Sequence, residues 1–128
     1  MILSNVIYNY HKLCKDVKNL DKKIKFAGIV NERGRLVASE IKKDAHLVNE
    51  KDKEMLFMEL ALRVRMRQEF EEQLGKVKYS MTVREENVGM NFPIKTDFLY
   101  IATESDVNLI ELPLKIIQTI NNQKHIRK

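Results

Sequence analysis

The stretch that decides the fold is KDKEMLFMELALRVRMRQEFEEQL, residues 51–74. At about 100° per residue, its periodicity predicts a helix with two apolar stripes on nearly opposite sides. One stripe contains Phe57, Leu60, Ala61 and Val64, and the other, the methionine stripe, contains Met55, Met58, Leu62 and Met66. Leu56 falls outside both stripes, on a charged flank. Because a surface helix needs only one apolar stripe to face its core, the second stripe must face another element or another chain.

The methionine stripe has two interpretations. It packs under the first or last helix of the same chain, or it forms a dimer interface in which flexible thioethers adapt to a facing copy. The flank with Glu59, Arg63 and Arg67 also has two interpretations. These side chains form solvent-exposed ion pairs at i, i+4 spacing, or they form the rim of an interface and fix its register. The periodicity alone leaves these alternatives open; a dimer interface on this helix would contain the methionine stripe with Glu59 and Arg63.

The chain before this helix predicts a helix, a hairpin and a loop. Residues 2–20 carry apolar side chains at spacings of three and four, which is typical of an amphipathic helix. Residues 26–38, FAGIVNERGRLVA, predict a β-hairpin with a turn at Asn31–Gly34. Both strands are apolar without strict alternation, so we expect burial on both faces or a central place in the sheet. Residues 42–53 are charged and predict a surface loop that enters the long helix near Asn49.

The chain after Gly75 predicts three strands and a helix. Residues 76–84 alternate, residues 88–92 are apolar and end at Pro93, and residues 98–102 are the most apolar and therefore central. A helix is predicted over residues 107–121. Pro113 lies either in the first turn of that helix or at a kink.

Length and composition predict one domain over residues 1–121, followed by a basic flexible tail over residues 122–128. The net charge is +5, and the excess lies in residues 1–25 and in the tail rather than between them. Cys14 is the only cysteine, which excludes an intramolecular disulfide. The first residues match neither a signal peptide nor a membrane span, so we expect a cytoplasmic protein.

The sequence contains no motif for catalysis or for a cofactor. It has no glycine-rich phosphate loop, and His11, His46 and His125 lack metal-ligand spacing. Cys14 lies on the apolar arc of the first helix, where a buried, inert thiol is expected. Tyr79 alternates with the lysines around it and so points to the opposite face, which argues against an RNA-binding sheet. We therefore expect no catalytic residue, no cofactor, no metal and no nucleic-acid partner.

The predicted order, α-β-β-α-β-β-β-α, resembles the roadblock/dynein-light-chain family within the longin- and profilin-like group. The resemblance covers nearly the whole chain. The segments that carry it are the hairpin of residues 26–38, the long helix ending at Leu74-Gly75, the hairpin of residues 79–92, and FLYIA at residues 98–102. The chain also resembles short archaeal proteins of similar layout. Two departures are the long, charged loop of residues 42–53 and Pro113 in the last helix.

The resemblance implies a five-stranded antiparallel sheet and a homodimer in which the middle helices pair and the sheets continue across the dimer. It also implies a scaffold or regulator of small Ras-like GTPases, although no GTPase-contacting residue can be carried over. An alternative is a small-ligand sensor, because related α/β sandwiches hold ligands between sheet and helix. That alternative predicts a sizeable cavity. An enzyme with an unfamiliar site is the third hypothesis, and no residue favours it.

Overall fold

A computed structural model describes residues 6–7, 9–123 and 125–126. Five antiparallel strands form the main sheet, and a separate pair of short strands joins the two ends of the described chain. In chain order the elements are β1 (Val6–Ile7), α1 (Tyr10–Lys18), β2 (Ile24–Val30), β3 (Leu36–Ile41), α2 (Glu50–Gln68), α3 (Glu71–Leu74), β4 (Ser80–Val83), β5 (Val88–Ile94), β6 (Asp97–Thr103), α4 (Glu111–Asn122) and β7 (His125–Ile126). The main sheet has the order β3-β2-β6-β5-β4, which confirms the predicted fold and the central place of β6.

The two faces of the sheet are covered by different helices. Along β6, Leu99 and Ile101 point to the face covered by α1 and α4, and Phe98 and Tyr100 point to the face covered by α2. This alternation follows from the period of two in a strand. We call the two sides the α1–α4 face and the α2 face. Each has its own cluster of buried side chains.

The predicted hairpin forms, and its turn is held by one side chain. The Asn31 carboxamide oxygen accepts hydrogen bonds from the backbone N–H groups of Arg33 (2.9 Å) and Arg35 (3.1 Å). Gly34 adopts a φ of 78°, a conformation that other residues rarely take. The strand β2 is buried as predicted, but β3 is an edge strand with mostly exposed side chains. The expectation of burial was therefore wrong for β3, which no described strand flanks on its outer side.

The long helix begins where predicted and ends earlier. Asn49 precedes α2, but its side chain makes no capping hydrogen bond. The helix stops at Gln68, and a short second helix, α3, follows after Phe70, whose ψ is 9°. Gly75, with a φ of 84°, ends α3. The predicted helix of residues 51–74 is thus two helices, and the strand predicted for residues 76–84 is limited to β4.

The helices at both ends are shorter than predicted. The first, α1, begins at Tyr10 behind an Asn9 cap, and β1 occupies two positions of the predicted helix. The remaining early positions, residues 2–5 and 8, lie outside the described residues. The last helix begins at Glu111, so Pro113 lies in its first turn and no kink is needed. It runs to Asn122, and β7 follows within the segment predicted as a tail. Residues 124, 127 and 128 lie outside the described part.

Candidate protein-interaction surface

The two stripes of α2 have opposite environments. The first packs on the sheet, with Phe57, Leu60 and Ala61 buried. The methionine stripe is exposed, with fractions from 56% for Met58 to 72% for Met55. Helices α1 and α4 lie on the far side of the sheet, so the stripe does not pack under either of them. Of the two interpretations, intramolecular packing is therefore wrong for the described residues.

The methionine stripe lies beside the turn of the β2–β3 hairpin. A Cβ atom added to Gly34 would lie 2.6 Å from the Sδ atom of Met58 and 3.0 Å from its Cα atom, so turn and helix are in close contact. Leu62 and Arg65 line a shallow depression together with Arg33 of the same turn. The exposed apolar side of α2 is thus continuous with the hairpin.

The edge strand β3 extends this exposed surface. Leu36, Val37 and Ile41 are 37–46% exposed. Leu36 pairs with Val30 and Ile41 pairs with Phe26, and paired residues share a face, so both lie on the α2 face. An unflanked edge also presents unpaired backbone N–H and C=O groups. We call the methionine stripe and the β3 edge together the α2–β3 surface.

The predicted interface residues include none from β3, although the resemblance implies that the sheets continue across the dimer. The signal for the exposure of β3 lay in Ser39 and Glu40, polar residues that follow Ala38 and indicate a half-exposed strand. A register shift in β2 between Ile29 and Val30 obscured the alternation, because it places one extra residue in β3.

The charged side chains predicted as a rim lie on the other flank of α2. An Oε2 atom of Glu59 is 3.7 Å from an Nη2 atom of Arg63, and both side chains are more than half exposed. They line a groove with Thr82 of β4, away from the β2–β3 hairpin. Leu56 on this flank is half-buried and packs on the α2-face cluster, which explains its place outside the two stripes.

The same flank contains a cleft of about 300 Å³ between the end of α2 and strands β4 and β5. Arg67 lines it, and its Nη1 atom donates a hydrogen bond of 3.1 Å to the Ser80 hydroxyl. Asn91 on β5 also lines the cleft, and its Oδ1 atom is buried without a hydrogen-bond partner among the described residues.

Burial raises the pKa of two side chains among the described residues, those of Cys14 and Tyr100. The pKa of the Cys14 thiol rises to about 12, which keeps it protonated and unreactive at neutral pH. In the described part of the chain, no group of three His, Cys, Asp or Glu side chains has the arrangement of a metal site. No helix there is both long and apolar enough to cross a bilayer.

Comparison with solved structures supports a roadblock-like fold. A Roadblock/LC7 domain from Streptomyces avermitilis superposes with a TM-score of 0.67 at 7% identity, over 88% of this chain and 92% of that chain. The gliding protein MglB from Thermus thermophilus gives 0.69 at 12% identity, over 95% and 96%. Profilin from Schizosaccharomyces pombe gives 0.61 at 12% identity, over 89% and 94%. The predicted resemblance to roadblock-like domains is confirmed at the level of the fold.

Two further comparisons concern the sequence. The model of DUF6659, a family of unknown function, matches residues 3–125. No curated protein matches the sequence at a significant level.

Proposed function

The chain belongs to DUF6659, a family of unknown function, and we propose that it is a non-enzymatic module that forms a homodimer and binds a small Ras-like GTPase in the cytoplasm. The proposal of a dimer rests on one observation: four exposed apolar side chains on one side of α2 lie beside an open, apolar sheet edge. Contiguous apolar surface of this kind on a soluble protein is characteristic of interaction sites.

The shape of the α2–β3 surface suits a second copy of the same chain. A two-fold axis beside β3 brings β3 against its own copy, and two antiparallel β3 strands then pair their free backbone groups into a continuous sheet. The same axis brings the methionine stripes together above that junction. Methionine side chains fit such a contact because their three rotatable bonds adapt to a facing copy.

The GTPase part of the proposal rests on the fold. Roadblock-family proteins commonly serve as scaffolds or regulators of small Ras-like GTPases, and this chain has a roadblock-like fold. No residue of the chain is assigned to that contact. The dimer and the GTPase contact are therefore tested separately.

The dimer is tested by solution mass from light scattering coupled to gel filtration. We expect twice 15.1 kDa for the wild-type chain and 15.1 kDa for the double variant Met58→Glu with Leu62→Glu. Leu114→Glu is the matched control, because Leu114 is 62% exposed but lies on α4, behind the sheet. It should leave the dimer intact. A folded double variant with the wild-type dimer mass would show that the interface lies elsewhere.

The choice of sheet edge has its own test. Val37 on β3 and Val83 on β4 are both exposed and lie on opposite edges of the sheet. We expect Val37→Lys to weaken the dimer at least tenfold, because an edge lysine blocks strand pairing, and Val83→Lys to have no effect. The reverse result would place the dimer axis at β4.

The GTPase contact is tested with a purified Ras-like GTPase from the same organism, loaded with GDP or with a GTP analogue. We expect calorimetry to show binding that depends on the nucleotide, or hydrolysis assays to show a changed rate of GTP hydrolysis. A dimer that binds neither form and leaves hydrolysis unchanged would contradict the GTPase role while leaving the dimer in place.

A second candidate function is the sensing of a small ligand between sheet and helix. The observation that favours it is the cleft beside Arg67 and Asn91, whose volume lies at the lower end of the range for ligand pockets.

A further inference from the structure

The cleft between α2 and the β4–β5 strands contains an unpaired polar atom. Asn91 is only 6% exposed, and its Oδ1 atom has no hydrogen-bond partner among the described residues. Buried acceptors in folded proteins almost always have a partner, because an unpaired one has lost its water without compensation. Asn91 lines the cleft itself, so the side chain that carries this unpaired atom borders a space that a donor can enter.

The position of Asn91 follows from the sheet register. Asn91 lies opposite Ser80 on β4 and opposite Tyr100 on β6, and residues paired in this way point to one face. Tyr100 belongs to the α2-face cluster, so all three point toward α2. Arg67 reaches from α2 to Ser80 and, with Asn91, lines both the cleft and the neighbouring groove. These two side chains therefore form the wall between the two depressions.

The charge of the lining sets the charge of a ligand. Three cationic side chains, those of Arg67, Lys76 and Lys95, line the cleft together with one anionic side chain, that of Glu71. Such a site attracts anions. It disfavours an amine as the donor to Asn91, because an amine brings a further positive charge. A hydroxyl donates without that charge.

We propose that this cleft binds a small organic anion that carries a hydroxyl group. The anionic group lies among the cationic side chains, and the ligand hydroxyl donates to the Oδ1 atom of Asn91. Arg67 is positioned for this role by its hydrogen bond to Ser80. The inference rests on the second candidate function and is independent of the dimer, because the methionine stripe and β3 lie on the other flank of α2.

The experiment uses two pairs of anions that differ by one hydroxyl group: citrate with tricarballylate, and malate with succinate. Binding to the full chain is measured by calorimetry. We expect the hydroxyl-bearing member of at least one pair to bind at least tenfold tighter than its analogue, because a site that pairs a ligand hydroxyl discriminates against its loss. Two results would overturn the proposal. The first is that none of the four anions binds measurably at about 10 mM, a concentration far above the dissociation constant of a built site. The second is that the two members have equal affinities in both pairs.

Three variants separate the contributions. Asn91→Val should abolish the difference within a pair and leave the binding of the analogue unchanged, whereas Lys76→Ala should weaken both members of a pair severalfold. Lys76 is exposed, so its variant tests the site even where Asn91→Val does not fold. The Met58→Glu, Leu62→Glu chain should bind citrate like the wild type. Loss of citrate binding in this double variant would show that the cleft depends on the dimer.

Discussion

The two faces of the central sheet differ in how completely helices cover them. On the α1–α4 face, buried side chains extend from Ala38 on β3 to Met90 on β5, and Met81 of β4 packs against them, so the cluster spans all five strands. On the α2 face, the sheet contributes to the cluster only from β2 and β6, with Phe26 and Tyr100 around Phe57. This face is covered by one long helix where the other is covered by two, and no helix in the described part of the chain covers its outer strands.

This difference assigns stability mainly to the α1–α4 face and binding mainly to the α2 face. The α1–α4 face is saturated with apolar contacts, and such close-packed layers supply most of the free energy of folding. The α2 face leaves two bordering regions uncovered, the β3 edge on one flank of α2 and the Asn91 cleft on the other. Both candidate sites lie beside α2, where this single helix no longer covers the sheet. The comparison predicts that core substitutions on the α1–α4 face cost more stability than substitutions beside α2, which act mainly on binding.

The largest effect is expected for Phe92→Ala on the α1–α4 face. Phe92 is 1% exposed, and its ring stacks on Tyr79 at 5.6 Å. Removing it leaves a cavity in a close-packed layer, so we expect the free energy of unfolding to fall by about 3–5 kcal/mol. Urea denaturation measures this loss. Leu114→Ala is the control for exposed positions, with an expected change below about 0.5 kcal/mol. Similar values for both would remove the contrast between saturated and uncovered regions.

The buried positions on both faces were easier to predict from sequence than the uncovered regions. A strand such as FLYIA places its side chains by alternation, and the long helix shows its sheet-facing stripe by spacing. These patterns depend on local geometry, which the sequence determines directly. The break of the long helix near Phe70 was not predictable in this way, because residues 69–74 lack any proline or glycine that would signal it.

The candidate sites were predicted in part. Two stripes on α2 indicated a second apolar surface, facing either another element or another chain, but not which flank of the helix faces β3. That flank depends on the packing of α2 on the sheet, a long-range property that places Glu59 and Arg63 toward β4 instead. The cleft was beyond prediction for the same reason. Asn91 looks like an ordinary strand residue until the register places it beneath Arg67.

The next effect concerns the contact between the hairpin turn and the methionine stripe. Gly34→Ala adds a Cβ atom at a φ of 78° and within 2.6 Å of the Met58 sulfur atom. We expect the free energy of unfolding to fall by about 1–3 kcal/mol, from backbone strain and from the displaced side chain. In a Met58→Ala background the loss should be smaller, because the sulfur atom is absent. An equal loss in both backgrounds would assign the whole effect to the backbone.

Asn91→Val should act in the opposite direction. The substitution removes a buried acceptor that has no partner among the described residues, and valine suits a strand, so we expect a gain of about 1 kcal/mol in the free energy of unfolding. Thr82→Val is the matched control, because Thr82 lies exposed on the neighbouring strand β4 and should change stability by less than about 0.5 kcal/mol. A loss of stability in Asn91→Val would show that the asparagine contributes to the fold, and that the α2 face is not stabilised by removing its polar site.

The smallest effect decides how far the dimer interface extends across α2. Glu59 and Arg63 form an exposed ion pair on the flank away from β3, and such i, i+4 pairs contribute about 0.3–0.5 kcal/mol. In a double-mutant cycle with Glu59→Ala and Arg63→Ala, we expect a coupling free energy of this size, measured by urea denaturation and lost in about 1 M NaCl, with the dimer mass unchanged. A coupling above about 1 kcal/mol, or a dimer that dissociates in either variant, requires these charges to be desolvated by a facing copy. The interface would then cross the top of α2 and reach the flank of the cleft, and the two uncovered regions would form one site.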